Sequence, residues 1–400
     1  MMDRRGFLNG VIGCSLAASP LVTPLSFASV PGQGRLVVIL LRGGMDGLGT
    51  VAPVGDPGFA TLRGTPGDLI ALDGGMWAAH RGLERLMPLW QAGELSFVHA
   101  VSTPYRDKRS HFDGQDLLEA GGDGPGGPRD GWLNRMAGLL PNVTAQSTYA
   151  LGNGPLAIAS GAQPITRWSP DSDLALSPQA MRLAHLIMAD DPAMADALAR
   201  AFDLADSDGD AVAMIGGAEA AMDEMMADMK ATRGRSQTQR VAEFAGKKLR
   251  KEASVACFSI NGWDSHAQQD RVLGRALDEL ATAMLTLKEF MGDKNWQSTV
   301  VAAVTEFGRT ARINGTGGTD HGTGGAMILG GGALKGGRVI TDWPGLARAD
   351  LYAGRDLMPT RDLRAHLGWL IRGLYGLSVS DIEQVVFPGV ELGADPGLLG

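Results

Sequence analysis

The sequence contains very little cysteine. Only two of its 400 residues are cysteines, Cys14 and Cys257. Cys14 lies in an N-terminal segment that we expect to be removed, so the mature chain retains one cysteine and cannot form an internal disulfide. Its stability must therefore come from a hydrophobic core, or from a metal ion, rather than from covalent cross-links.

The chain also lacks a net positive charge. It has 36 lysine and arginine residues against 44 aspartate and glutamate residues, which gives a formal net charge of −8. An acidic surface disfavours nucleic acids and anionic lipids as partners, because both are polyanions. The hydrophobic content of 44% and the charged content of 20% are normal for a globular protein.

The first 28 residues have the features of a bacterial export signal. Arg4 and Arg5 form a pair, and an uncharged apolar stretch follows from Val11 to Phe27. Small residues favour cleavage after Ala28, so the pattern predicts a twin-arginine signal peptide and a periplasmic or secreted protein with no membrane span after cleavage. The stretch is too short and too rich in serine and proline for an uncleaved anchor. A lipoprotein signal is disfavoured because Cys14 stands almost directly after the arginine pair.

Residues 29–400 are predicted to form a single α/β domain with a doubly wound, mostly parallel sheet flanked by helices. Continuous apolar runs such as Leu36–Leu41 and Leu95–Val101 are typical of strands buried on both faces of a parallel sheet. Helical patterns alternate with the strands, and the longest runs from Asp270 to Met291. The less regular segment 142–235, rich in proline, methionine and alanine, is predicted to be a helical insertion or lid.

Polar side chains suited to metal binding or catalysis follow the predicted strands. They are Arg42, Asp46, Ser110, Asp264, His266, Glu306, Arg309, Asp320 and His321. Loops at the carboxyl ends of parallel strands lie at one edge of the sheet, so we expect these residues to converge there. Carboxylates and imidazoles together bind zinc or manganese, and the pattern predicts a site for one or two divalent ions.

Each motif also has a purely structural interpretation. The segments Asp264-Ser265-His266 and Thr319-Asp320-His321-Gly322 are also typical of loop caps and tight turns. Ser110 suits the N-cap of a helix, and Glu306 with Arg309 suits a structural ion pair. The functional interpretation therefore depends on the combined order and placement of the residues.

Several segments resemble a family of twin-arginine-exported, sulfatase-like bacterial proteins of unknown function, and more distantly the alkaline phosphatase superfamily. The segments that carry the resemblance are LVVILLRGGMDGL, LSFVHAVSTPYRDKRSHFDGQD, GWDSHAQQ, VVAAVTEFGRTARINGTGGTDHGTGGAMILGG and DLRAHLGWLI. The resemblance implies an alkaline-phosphatase-like fold and a nucleophile at a helix start, where Ser110 stands. It also implies metal ligation by Asp46, Asp264, His266, Glu306, Asp320 and His321.

Two departures from the superfamily pattern narrow what the resemblance implies. Phe307 stands where the superfamily places a metal-binding histidine, so the expected site has one imidazole fewer. The sequence contains no Cys-x-Pro-x-Arg motif, which excludes the formylglycine mechanism of sulfatases.

Two functions are compatible with these residues. The first is an exported metal-dependent hydrolase of a small phosphate or sulfate ester, in which Ser110 attacks and Arg42 and Arg309 bind the anion. The alternative is a catalytically degenerate protein of the same fold that binds another exported protein in the cell envelope. Phe307 favours this alternative, as does a run of methionines predicted on one helix face: Met222, Met225, Met226 and Met229.

Overall fold

A computed structural model describes residues 34–64, 67–124, 127–141, 143–170 and 234–400. The predicted export signal, the methionine-rich helix face at 222–229 and most of the predicted insertion lie outside the described residues. Among the helices of the described ranges, none combines the length and the apolar character that a bilayer span requires.

The twelve described strands are short, and most are buried. They are β1 (Arg35–Leu41), β2 (Val51–Ala52), β3 (Leu69–Asp73), β4 (Trp77–His80), β5 (Leu95–Ser102), β6 (Thr148–Leu151), β7 (Thr166–Trp168), β8 (Val255–Ile260), β9 (Thr299–Val304), β10 (Gly325–Gly330), β11 (Arg338–Ile340) and β12 (Arg361–Asp362).

The described α-helices range from single turns to one long helix. They are α1 (Gly47–Thr50), α2 (Phe59–Arg63), α3 (Met87–Gln91), α4 (His111–Ala120), α5 (Trp132–Leu139), α6 (Gln237–Arg250), α7 (Gln269–Trp296), α8 (Leu363–Tyr375) and α9 (Val379–Asp381). Short 3₁₀ turns at Arg81–Leu86, Ala145–Ser147 and Ala157–Ala159 and a π turn at Ile382–Val386 complete the helical segments.

The main sheet has nine strands in the order β11-β5-β10-β9-β1-β8-β6-β7, with β12 also paired to β5. Strand β1 pairs in parallel with both β8 and β9, at the centre of the sheet. Strand β10 runs antiparallel to its two neighbours, β5 and β9. The prediction of a mostly parallel α/β sheet is confirmed, and the sheet is mixed because β10 runs against the other strands.

Both faces of the sheet are covered by helices. Successive side chains of a strand point to opposite faces, so Val37 and Ile39 of β1 lie in one core cluster and Leu36 and Val38 lie in another. Helices α6 and α7 contribute to the first cluster, and α5 and α8 contribute to the second. Burial on both faces explains why β1 is a continuous apolar run.

The predicted helix starts agree with local capping chemistry. The Ser110 side chain accepts a hydrogen bond from the Asp113 N–H at the start of α4, which confirms the predicted N-cap. Asp362 caps α8 in the same way through the Arg364 N–H. The long helix predicted from Asp270 is observed as α7, which continues past the non-helical Gly292 to Trp296.

The prediction of a helical insertion from residue 142 needs correction at its beginning. Strands β6 and β7 lie in this segment, and β6 pairs in parallel with β8, so that Tyr149 faces Ala256 and Ala150 faces Cys257. These strands have only four and three residues, too short for a recognisable period-two pattern. A second sheet, in the order β2-β4-β3, was likewise not predicted.

His99 in β5 is buried in its neutral form. Its Nε2 lies 3.1 Å from the carbonyl oxygen of Gly47 and 3.0 Å from that of Val51, and its Nδ1 accepts the Ala100 N–H at 2.9 Å. A second proton on Nδ1 would break the hydrogen bond from Ala100. Burial lowers the pKa of His99 from 6.5 to about 4.

We predict that the folded state loses stability as the pH falls from about 6.5 towards 4. In this window the unfolded chain binds a proton at residue 99 that the folded chain does not bind. The pKa difference corresponds to roughly 3 kcal/mol. Urea unfolding of the wild type and of His99→Gln between pH 7 and 5 tests this. The variant should lose less stability on acidification, and an equal loss in both proteins would contradict the prediction.

Candidate metal centre

Five segments of the chain meet at one edge of the main sheet. Strands β1, β5, β8 and β9 have their carboxyl ends there, and the antiparallel β10 begins there. The loops after β5, β8 and β9 and the loop before β10 therefore bring together residues that are distant in sequence: His111, Asp264, Glu306 and His321.

His111, Asp264 and His321 form a possible metal-binding group. Each offers one ligand atom, and the three atoms all lie within 4.8 Å of one another. Nε2 of His111 is 3.6 Å from Oδ2 of Asp264, and Nε2 of His321 is 3.6 Å from Oδ1 of Asp264. Two ligands that each lie about 2.0–2.2 Å from one zinc ion are separated by roughly 3–4 Å, so the spacing suits a single ion.

The outer nitrogens of these two rings contact oxygen acceptors. Nδ1 of His111 lies 2.8 Å from Oε1 of Glu306, and Nδ1 of His321 lies 2.9 Å from the carbonyl oxygen of Arg109. Because these oxygens only accept hydrogen bonds, Nδ1 carries the proton of each neutral ring and Nε2 presents a lone pair. Among the described residues, the buried Nε2 of His111 has no hydrogen-bond partner.

A third imidazole, that of His266, lies beside this group without belonging to it. Its Nε2 lies 3.0 Å from Nε2 of His321 and 3.1 Å from Oδ1 of Asp264. Its Nδ1 lies 3.3 Å from Oδ1 of Asp320, so each ring nitrogen of His266 faces a carboxylate oxygen to which it can donate a proton. Two Nε2 lone pairs this close repel each other unless a proton or a cation lies between them.

Glu306 lies behind His111 rather than among the three ligand atoms. It is buried, and it accepts hydrogen bonds from the Gly43 N–H at 2.9 Å and from the Thr305 hydroxyl at 2.9 Å, besides contacting His111. Burial alone would raise the pKa of Glu306, but these hydrogen bonds outweigh it and the pKa lies below its ordinary value. Such a carboxylate holds a metal-binding imidazole in one orientation and one tautomer.

Arg309 holds Asp264 and the surrounding backbone. Nη2 of Arg309 donates to Oδ1 of Asp264 at 2.6 Å, and its Nε donates to the Gly44 carbonyl at 2.6 Å. Burial alone would raise the pKa of Asp264, but the hydrogen bond and charge of Arg309 outweigh it and lower the pKa. Arg309 is completely buried, so its guanidinium is occupied by these partners rather than presented to a substrate.

Glycines after β1 allow the backbone to approach this group closely. Gly43 has a φ of +125°, and a Cβ there would lie only 2.5 Å from the backbone nitrogen of Asp264. A Cβ on Gly44 would lie 2.8 Å from the ring of Phe307. Any side chain at these positions would displace the loops that carry Asp264 and Phe307.

Asp46 does not belong to the group of ligand atoms. Arg63 binds both of its carboxylate oxygens, with Nη2 at 3.0 Å from Oδ1, and Gln269 donates to Oδ2. Burial alone would raise the pKa of Asp46, but the charge and hydrogen bonds of Arg63 outweigh it and lower the pKa. A guanidinium therefore compensates the carboxylate for which the sequence predicted a metal ion.

Arg42 and Ser110 also have structural partners. Arg42 pairs with Glu119 at 2.6 Å and donates to Gln115 at 2.6 Å, and neither partner is among the three possible ligands. The Ser110 hydroxyl accepts the Asp113 N–H at 3.3 Å as a helix cap.

Sequence reasoning missed His111, although it stands directly after Ser110. The available signal was its position at the start of a helix after a buried strand, the same kind of position that drew attention to Ser110. Phe307, which replaces an expected histidine, stacks on His111 with ring centroids 5.0 Å apart. His111 thus places an imidazole against residue 307, the position at which the resemblance implied a histidine.

Fold and site together define an α/β protein with a candidate metal centre at one sheet edge. The family described as "Protein of unknown function (DUF1501)" matches residues 99–376, which is more than half of the chain, so the chain belongs to this family. The matched range includes His111, Asp264, His266 and His321. No curated protein matches the sequence. Membership agrees with the predicted resemblance to a family of unknown function, while the sulfatase and alkaline phosphatase resemblance stays a prediction.

We predict that the protein binds about one equivalent of zinc. The His111→Ala and His321→Ala variants should lose the ion, because each removes a ligand. Glu306→Gln should weaken zinc binding about 10- to 100-fold, because the orienting charge is lost. Elemental analysis and titration against a chelator measure these effects. His80→Gln, which changes a histidine outside the group, is the matched control, and zinc retained by all variants would contradict the assignment.

We predict a large loss of stability in Arg63→Met. The side chains of Arg63 and Asp46 are 5% and 1% exposed, so the change leaves a buried carboxylate without its counterion. Such a change costs about 3–5 kcal/mol. The double variant Asp46→Asn, Arg63→Met should recover part of the loss in chemical denaturation. Arg81→Met, which breaks the exposed pair with Asp68, is the control and should change stability by about 1 kcal/mol or less.

Proposed function

We propose that the protein is a hydrolase of an anionic ester, phosphate or sulfate, that uses one divalent metal ion held by His111, Asp264 and His321. One observation carries the proposal: imidazole Nε2 atoms converge on one carboxylate while each outer nitrogen contacts an oxygen. Zinc suits this set of nitrogen and oxygen ligands, and manganese also accepts it. A divalent ion held by these residues would polarise an oxygen of the ester and stabilise the charge that develops in the transition state.

Three protein ligands leave coordination positions open, as a catalytic site requires. The side chain of Asp264 is 48% exposed and that of His266 is 47% exposed, whereas His111 and His321 are 24% and 15% exposed. A substrate therefore reaches the group from the side of Asp264 and His266.

His266 is placed to transfer a proton during the reaction. We assign to His266 the tautomer with its proton on Nδ1, which faces Asp320 at 3.3 Å, so that the unprotonated Nε2 points towards Asp264 and His321. An imidazole oriented by a carboxylate in this way accepts a proton from the attacking group and returns one to the leaving group. We assign this role to His266, with Asp320 as its positioning residue.

The attacking group in this proposal is water rather than the Ser110 hydroxyl. Within the described residues, no imidazole or carboxylate accepts a hydrogen bond from Ser110, whose only hydroxyl hydrogen bond is the helix cap to the Asp113 N–H. A serine nucleophile needs such an acceptor to remove its proton.

We further propose that export by the twin-arginine route delivers the protein folded to the periplasm or beyond. This proposal rests on the Arg4-Arg5 pair and the apolar stretch that follows. The lone mature cysteine, Cys257, is buried and free, as in a fold completed without disulfides.

The test is a panel of phosphomonoesters, phosphodiesters and sulfate esters on zinc- and manganese-loaded protein. His266→Ala should lower kcat by about 10²–10⁴-fold while zinc content stays at the wild-type level, because only proton transfer is lost. Ser110→Ala should keep most of the activity, and His80→Gln should keep all of it. Loss of turnover in Ser110→Ala with unchanged zinc content would restore the serine mechanism. Metal-loaded wild type that turns over no ester in the panel would favour the alternative of a non-catalytic envelope protein.

A further inference from the structure

A cavity of about 640 Å³ lies beside the candidate metal centre. Its walls come from α2, from the loop before β10 and from the loop at 346–355. A volume of this size accommodates a small-molecule ligand. Asp320 lines the cavity, and the same carboxylate contacts Nδ1 of His266 at 3.3 Å.

The cavity is rich in arginine. Arg312, Arg348 and Arg355 line it, and Asp320 is the one carboxylate among the lining residues. Arg355 is compensated by an ion pair with Asp356 at 2.8 Å. In the part of the chain that the structure describes, Arg312 and Arg348 pair with no carboxylate.

Arg312 and Arg348 are both exposed to solvent, so their guanidinium groups are accessible to a ligand that enters the cavity. Guanidinium groups bind phosphate, sulfate and carboxylate through paired hydrogen bonds. The arginines predicted for this role from the sequence, Arg42 and Arg309, are instead occupied by protein partners. Anion binding at the sheet edge is therefore better served by Arg312 and Arg348.

The cavity lies on the accessible side of the metal centre. Asp320, which lines it, is 55% exposed, and the adjacent His266 is 47% exposed. Arg355 links the cavity wall to the centre, because its Nη2 donates to the His321 carbonyl at 2.6 Å. A ligand that fills the cavity thus borders the side from which the candidate centre is reached.

We propose that this cavity binds a second anionic group of the substrate through Arg312 and Arg348. The proposal rests on the proposed hydrolase function and narrows it: the substrate carries its cleavable ester at the metal centre and a further phosphate, sulfate or carboxylate in the cavity. Substrates with only one anionic group lack the second set of contacts and bind more weakly.

The test uses inorganic sulfate as the probe and metal-free full-length protein, so that it does not depend on turnover. Calorimetric titration at constant ionic strength should show sulfate binding in the wild type. In the double variant Arg312→Gln, Arg348→Gln, binding should weaken roughly tenfold or more, since two charged hydrogen-bonding groups are removed. Arg85→Gln, which changes an exposed arginine paired with Asp278, is the matched control and should bind sulfate like the wild type.

Further variants separate this proposal from the proposed function. His111→Ala should bind sulfate normally, and the double arginine variant should keep wild-type zinc content. Equal sulfate affinity in the wild type and the double variant, or no sulfate binding in either, would overturn the cavity proposal and leave the metal-centre proposal unaffected.

A kinetic test uses an ester that the metal-loaded protein cleaves. The double variant should have a higher KM than the wild type for doubly anionic substrates and the same KM for singly anionic ones. Equal changes in KM for both substrate types would likewise overturn the cavity proposal.

Discussion

The buried guanidinium of Arg309 ties together the loops that form the sheet edge. It donates to the carbonyls of Gly43 and Gly44 after β1, to that of Thr319 before β10, and to the Asp264 carboxylate after β8. Arg309 itself follows β9, so one side chain connects four of the five segments that meet there. Because a buried guanidinium without acceptors is unfavourable, the loops keep the positions that satisfy it. The placement of Asp264 opposite the histidines is a consequence of this network.

The contacts and the exposure of each carboxylate separate the structural carboxylates of this edge from the one that is open to a ligand. Asp46 is neutralised by Arg63, and Glu119 is neutralised by Arg42. The carboxylate oxygens of Glu306 accept hydrogen bonds from a backbone N–H, a hydroxyl group and the imidazole of His111. The last of these contacts sets the tautomer of His111. Asp264 is also paired with a guanidinium, that of Arg309 at Oδ1, but its Oδ2 faces a bare imidazole nitrogen and its side chain is half exposed. A single cation is therefore the simplest partner for this set of ligands.

An apolar aromatic ring borders the candidate metal centre. Residue 307 is a phenylalanine, whereas the predicted resemblance implied a histidine at this position. The ring of Phe307 packs against both His111 and His321. An apolar ring on one side limits water around the two imidazoles, while Asp264 and His266 keep the other side accessible. Phe307 is thus compatible with a working centre, which weakens its value as a sign of lost function.

Local signals, namely apolar runs and helix caps, predict the longer strands of the main sheet, the main helices and their order. The sequence predicted the buried strand at Leu36–Leu41, the helix cap at Ser110 and the long helix α7. It also placed Asp264, His266, Glu306 and His321 at strand ends, from which their meeting follows once the sheet is mostly parallel. Contacts in the folded chain establish that Asp46 binds Arg63, that His111 belongs to the group of ligands and that Glu306 lies behind His111. Those outcomes depend on contacts between residues that are 17 to 195 positions apart, and no local pattern encodes which buried charge finds which partner.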